Sequence, residues 1–96
     1  MFFDIDIWDL KDLIGKVKII DIRSVEKYND NHIPTAINIP KDILLIDYKK
    51  YLNFNDTYYI YCKEGVASPS VCSILRKYGY KTVNINGGYQ EWILES

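Results

Sequence analysis

Two hydrophobic periods take turns along this 96-residue chain. Short β-branched and aromatic runs stand at Phe2-Phe3-Asp4-Ile5, Val17-Lys18-Ile19-Ile20-Asp21, Ala36-Ile37-Asn38-Ile39, Tyr58-Tyr59-Ile60-Tyr61 and Thr82-Val83-Asn84-Ile85. Each reads as a strand. Helical stripes lie between them. Trp8, Leu10, Leu13 and Ile14 form a short one, with Gly15 suited to its end. Ser24 is the expected N-cap of a brief helical turn over residues 25–29. Pro40 closes the third strand, and Ile43-Leu44-Leu45-Ile46 begins a helix that reaches Leu52. Ser68 is the expected N-cap, and Pro69 the first helical residue, of a longer helix over residues 70–78 that Gly79 ends. Tyr89 to Leu94 reads as a final helix. Strands alternating with helices predict an α/β fold: a mostly parallel central sheet of about five strands, with helices on both faces through right-handed crossovers. Residues 1–96 are expected to form one domain, with no linker or repeat.

Composition narrows the function classes. The net charge is -1 and no run of five like charges occurs, so no basic groove for nucleic acid and no charged tail is expected. The nine tyrosines are therefore assigned to strand faces and packing, not to base stacking. No apolar stretch approaches the ~20 residues that span a bilayer. The start, Met1-Phe2-Phe3-Asp4, lacks a basic region, so a secretory signal is not expected and a cytoplasmic location with reduced thiols is. No metal and no cofactor are expected.

Cys62 is the candidate for chemistry. It follows an apolar strand that reads as central, at the carboxyl end where open α/β sheets bind ligands. A short loop, Cys62-Lys63-Glu64-Gly65-Val66-Ala67, separates it from the helix opened by Ser68 and Pro69. Gly65 gives that loop access to positive φ, so the amides of Lys63 through Ser68 can turn inward as an anion nest. Such amides, with a helix N-terminus, favour thiolate over thiol and can lower the pKa from about 8.5 to roughly 3.5–7.5. No general base is then needed, which matters because the sole histidine, His32, is distant in sequence. The alternative for Cys62 is a small buried hydrophobe. Cys72 shares a helical face with Val71 and Leu75 and reads as core, although a Cys62–Cys72 disulfide is open in principle. Asp21 and Arg23 read as a loop-organising ion pair, and His32, without partners at ligand spacing, as structural.

The chain resembles the rhodanese-like domains, the fold of the sulfurtransferases. The active-site loop of that family is similar to residues 62–67, a cysteine with glycine three places on. Its aspartate-x-arginine segment is similar to Asp21-Ile22-Arg23, and its histidine-isoleucine-proline-glycine-alanine stretch to His32-Ile33-Pro34-Thr35-Ala36. Its closing glycine-glycine-x-x-x-tryptophan is similar to Gly87-Gly88-Tyr89-Gln90-Glu91-Trp92. The resemblance implies a sulfurtransferase of sulfur metabolism in which Cys62 carries a persulfide. It implies a donor such as thiosulfate or a persulfide, and a thiol or cyanide as acceptor, either of which a protein can supply. Substrate binding then falls to Lys63, Glu64, Gly65, Val66, Ala67 and Ser68, with Arg23 close by.

Several positions depart from the family pattern. Ala67 stands where many members have a hydrogen-bonding side chain, and Glu64 puts an acid where thiosulfate would prefer a base, partly offset by Lys63. These two favour the rival class, a rhodanese-fold binding or sensing module with little turnover. Thr35 and Asn31 replace glycines; asparagine tolerates the left-handed region, which suits it to the exchange. A phosphatase reading wants an arginine closing a seven-residue loop, and the seventh residue here is Ser68.

Overall fold

The computed structural model describes residues 3–95. Five strands, β1 (Asp4–Ile5), β2 (Lys18–Asp21), β3 (Ile37–Asn38), β4 (Thr57–Tyr61) and β5 (Lys81–Ile85), form one sheet in the order β1-β5-β4-β2-β3. Every neighbouring pair is parallel. The apolar run over residues 58–61 therefore lies at the centre, where both faces of a parallel sheet are covered. The first expected strand is present at Asp4 and Ile5, while Phe2 falls outside the described residues.

Alternation along β4 divides the interior in two. Tyr58 and Ile60 face a core with Ile20, Leu44, Val71, Cys72 and Leu75. Tyr59 and Tyr61 face another with Leu10, Ile19, Ile33, Val83, Ile85 and Tyr89. The helices that supply these residues follow suit: α3 (Lys41–Tyr51) and α4 (Ser68–Lys77) cover the first face, and α1 (Ile7–Lys11) and α5 (Gly88–Glu95) the second. α2 (Val25–Asp30) has no buried residue and sends only the half-buried Tyr28 to the second core. Helices thus flank both faces of the sheet, as the alternation predicts, and the sheet expected to be mostly parallel is parallel throughout.

Three local expectations change. Ser68 is not an N-cap: Ala67 already has helical angles, and the Ser68 hydroxyl bonds to Asn84 instead of to its own helix. Pro69 keeps its place in the first turn. α3 begins earlier than the apolar run, at Lys41 directly after Pro40. Asn31 is not left-handed: its φ of -170° is extended, and its Oδ1 accepts from the His32 amide at 2.9 Å. Thr35 holds the left-handed place, with φ 73°. Ser24 caps α2 as expected, accepting from the Lys27 amide at 3.3 Å.

Candidate active site

The period of β4 carries one residue past the strand and puts Cys62 on the α4 face, in the core of Ile60, Val71 and Cys72. The chain then turns at Gly65, with φ +81°. Two amides of the first turn of α5 hold this loop: Tyr89 N donates to Cys62 O and Gln90 N to Lys63 O, each at 2.9 Å. The first N–H groups of a helix have no partner in their own helix, so the loop carbonyls satisfy them. Close approach depends on glycine. A Cβ on Gly88 would lie 2.4 Å from Cys62 O, and one on Gly65 would lie 2.9 Å from Gly87 N. The Asn86-Gly87-Gly88 turn is therefore the buttress of the loop.

With two carbonyls turned toward α5, amides farther along the loop face the sulfur. Ser68 N donates to Cys62 Sγ at 3.3 Å, with further main-chain hydrogen bonding from Ala67 and Gly65. The thiol also contacts Ser68 Oγ at 3.3 Å. Burial alone pushes the Cys62 thiol up, but hydrogen bonding from Ser68, Ala67 and Gly65 outweighs it and holds the pKa below the ordinary value; the Ser68 hydroxyl joins the amides in this only by turning its proton from Asn84 Oδ1 to the sulfur. Cys72, fully buried one turn into α4, is pushed up to about 11 by burial. Both cysteines are free. The two thiols share one core yet have opposite chemistry, because only Cys62 meets inward-facing amides.

Cys62 is only 7% exposed, but it opens on a cavity of about 500 Å³. Lys63, Glu64, Val66 and Ala67 form one wall, and Arg23, Ser24 and Lys27 the other. Lys63 Nζ stands 3.7 Å from Glu64 Oε1, so the loop charges partly cancel. Val66 is 80% exposed at the rim, whereas Ser68 is buried behind the sulfur.

Arg23 is held from below. The fully buried Asp21 accepts from Arg23 N at 2.8 Å, from Nε at 3.0 Å and from Nη2 at 2.8 Å. It also accepts from the Tyr61 hydroxyl at 2.6 Å. Burial, and then that hydrogen bond, push the Tyr61 hydroxyl far up, so it stays a donor. Arg23 Nη2 donates in addition to Asn31 O at 2.6 Å, and its guanidinium lies 4.0 Å over the Tyr89 ring. The pair organises the loop over residues 22–31, as its sequence predicts, and Arg23 presents a fixed positive charge at the cavity wall. His32 stacks on Tyr28 and its Nδ1 donates to Tyr28 O at 2.9 Å, a structural role.

The sequence matches the rhodanese-like domain over residues 7–95. This chain belongs to that family. A crystal structure of a rhodanese-related protein from Thermoplasma volcanium superposes on this rhodanese-like domain with a TM-score of 0.90 at 28% identity, covering 99% of this chain and 94% of the other. The thiosulfate sulfurtransferase of Escherichia coli (strain K12) is 36% identical over 73 residues, which are 75% of this chain and 70% of that protein. The tRNA sulfurtransferase of Thermoplasma acidophilum is 40% identical over 62 residues, which are 64% of this chain and 12% of that protein. The chain spans 20% of a relative from Porphyra purpurea and 41% of one from Bacillus subtilis (strain 168). Relatives that share this domain are thus named as sulfurtransferases.

Sequence reasoning missed three parts of the site. The sequence marks Ser24 only as a cap and Lys27 only as part of a brief helical turn, yet both line the cavity. The Tyr89 and Gln90 amides hold the loop through main chain, which no side-chain pattern signals. Asn84 pairs with Ile60 across the sheet and so shares the face of Cys62. A buried asparagine among strand residues that are otherwise apolar or β-branched was the available signal.

Proposed function

We propose that this rhodanese-like domain moves a sulfane sulfur from a donor to a thiophilic acceptor through a Cys62 persulfide. The carrying observation is a sulfur that receives the Ser68 amide at 3.3 Å and opens on the cavity. The Cys62 thiolate attacks the outer sulfur of thiosulfate. The Sγ–S bond forms, the S–S bond of the donor breaks, and its electron pair leaves with sulfite. The persulfide anion inherits the thiolate charge, and the same loop amides stabilise it. Cyanide or a thiolate then attacks the terminal sulfur and returns Cys62 as thiolate.

The side chains divide the binding work. Arg23 and Lys27 supply positive charge opposite the loop, and Lys63 adds more at the rim. Gly65 and Ser68 contribute amides, and Ala67 contributes an amide beside a methyl that gives no hydrogen bond. Glu64 opposes a doubly charged donor, which favours a persulfide, free or on a protein, over thiosulfate. No helix among the described residues is long and apolar enough to cross a membrane, and none is needed for this chemistry.

Glu64 and Ala67 also favour the second reading, a binding or sensing module. Intact mass after incubation with thiosulfate or with a desulfurase-generated persulfide separates the two. One added sulfur in wild type, absent in Cys62→Ser and removed by cyanide, is the expected result. No added sulfur from any donor sinks the transfer reading and leaves the binding module.

A further inference from the structure

A run of side-chain hydrogen bonds leads from Cys62 to the molecular surface. The Cys62 thiol donates to Ser68 Oγ at 3.3 Å, and the Ser68 hydroxyl donates to Asn84 Oδ1 at 2.6 Å. Asn84 Nδ2 donates to Asn86 Oδ1 at 3.0 Å. Asn86 Nδ2 donates to Asp6 Oδ1 at 3.0 Å, with Asp4 Oδ1 beside it at 3.4 Å. Every link donates in the same direction, outward.

The outer end sets that direction. A carboxylate only accepts, so Asn86 turns its Nδ2 toward Asp4 and Asp6 and its oxygen inward. Asn84 then turns Nδ2 toward Asn86 and its own oxygen toward Ser68. The Ser68 hydroxyl, fully buried, gives its single proton to Asn84 and keeps only a lone pair for the sulfur. This arrangement suits a thiol. A thiolate has no proton to give and wants donors. Ser68 serves the thiolate only by turning its proton back, which strands a buried asparagine oxygen unless Asn84 and Asn86 also turn over. Turning Asn86 over sets its oxygen against two carboxylates.

We propose that Asn84 and Asn86 are positioning residues that transmit the charge of Asp4 and Asp6 to the Ser68 hydroxyl, so that these exposed carboxylates restrain ionisation of Cys62 and their neutralisation releases it. The loop amides favour the thiolate and this chain opposes it, so the edge of the sheet tunes the thiol at its centre. The inference rests on Cys62 being the working thiol, but thiol ionisation can be read without any sulfur transfer. The remaining charges stay constant in the test: Lys63, Glu64, Arg23 and Lys27 around the sulfur mouth, and Glu91 and Glu95 of α5 near Asn86.

The experiment is the pH profile of Cys62 alkylation by iodoacetamide, read by intact mass, in wild type and in Asp4→Asn/Asp6→Asn. Both residues are exposed, and asparagine keeps their shape. The midpoint is expected to fall by about one pH unit, roughly a tenfold gain in thiolate at a given pH below it. Asn86→Ala, which removes a link without changing any charge, should shift the midpoint the same way. In a Ser68→Ala background the carboxylate substitutions should shift nothing, because the chain is cut. An unchanged midpoint with Ser68 present overturns the proposal, as does an equal shift with Ser68 absent, the mark of a through-space field. If the shifts occur as expected but no persulfide ever forms, the sulfur-transfer reading fails and the positioning chain stands.

Discussion

Substituting alanine for Gly88 isolates the contact that presses the Cys62 loop into shape. The new Cβ would lie 2.4 Å from Cys62 O and 2.9 Å from both Gly65 N and Lys63 O, all main-chain atoms with no side-chain freedom to yield. Gly15 is the natural control. Its φ is +86°, as left-handed as the +63° of Gly88, but nothing lies within 4 Å of its added Cβ. Both substitutions lose about 1–2 kcal/mol from a side chain in the left-handed region. Only Gly88→Ala adds overpacking, about 1–3 kcal/mol. It also strains the bonds from Tyr89 N to Cys62 O and Gln90 N to Lys63 O, worth about 0.5–1.5 kcal/mol each. The expected losses are about 1–2 kcal/mol for Gly15→Ala and about 3–5 kcal/mol for Gly88→Ala, measured by urea unfolding followed by circular dichroism. In a domain of this size each kcal/mol moves Tm by about 4–8 °C, so the two separate clearly in a thermal melt. A second readout ties the contact to chemistry. The shifted loop carries the amides of Gly65, Ala67 and Ser68 away from the sulfur, so Cys62 alkylation at neutral pH should slow in Gly88→Ala and stay unchanged in Gly15→Ala. Equal stability losses in the two variants would refute the buttress.

Thr35→Gly is expected to stabilise the fold by about 0.5–1 kcal/mol in urea unfolding, because a β-branched residue leaves φ 73° and the glycine entropy offsets only part of the relief. Asp21→Asn removes the charge that Arg23 and Tyr61 converge on and should cost about 3–5 kcal/mol in the same assay; a loss below about 1 kcal/mol would show that the pair does not organise the loop. Alkylation at neutral pH should modify Cys62 in the native protein and reach Cys72 only after unfolding, since the first is held low and the second pushed up to about 11. The same shifts give opposite signs in stability against pH. The unfolded chain ionises Cys72 first, so stability falls as pH rises from about 9 to about 11, by about 3 kcal/mol. That slope should be missing from Cys72→Ala. Cys62, lowered in the folded state, adds stability as pH climbs toward about 9 and loses it as pH falls through its folded value.

Much of the site was legible because its decisive features are local. The position of Cys62 follows from the two-residue period of β4, and the turn after it from a glycine that takes positive φ. The low thiol follows from amides in the same short loop. The ion pair of Asp21 and Arg23 was readable for the same reason, since the two residues are near neighbours on one strand end. What was hidden depended on groups with more than one suitor. The Ser68 hydroxyl has the chemistry of an N-cap, but Asn84 on the next strand takes its proton. Asn31 has the chemistry of a left-handed residue, but its carbonyl is drawn to Arg23 and the left-handed place falls to Thr35.

Hydrophobic spacing and glycine placement by themselves determined a mostly parallel sheet with Cys62 at the end of a central strand, because period and backbone freedom belong to each residue and its near neighbours. Tertiary structure alone decided which donors reach the sulfur, that Lys27 and Ser24 face it across the cavity, and that Asp4 and Asp6 connect to it through two asparagines. Those outcomes are competitions for one proton or one lone pair, and they are settled only when distant strands come within hydrogen-bond range.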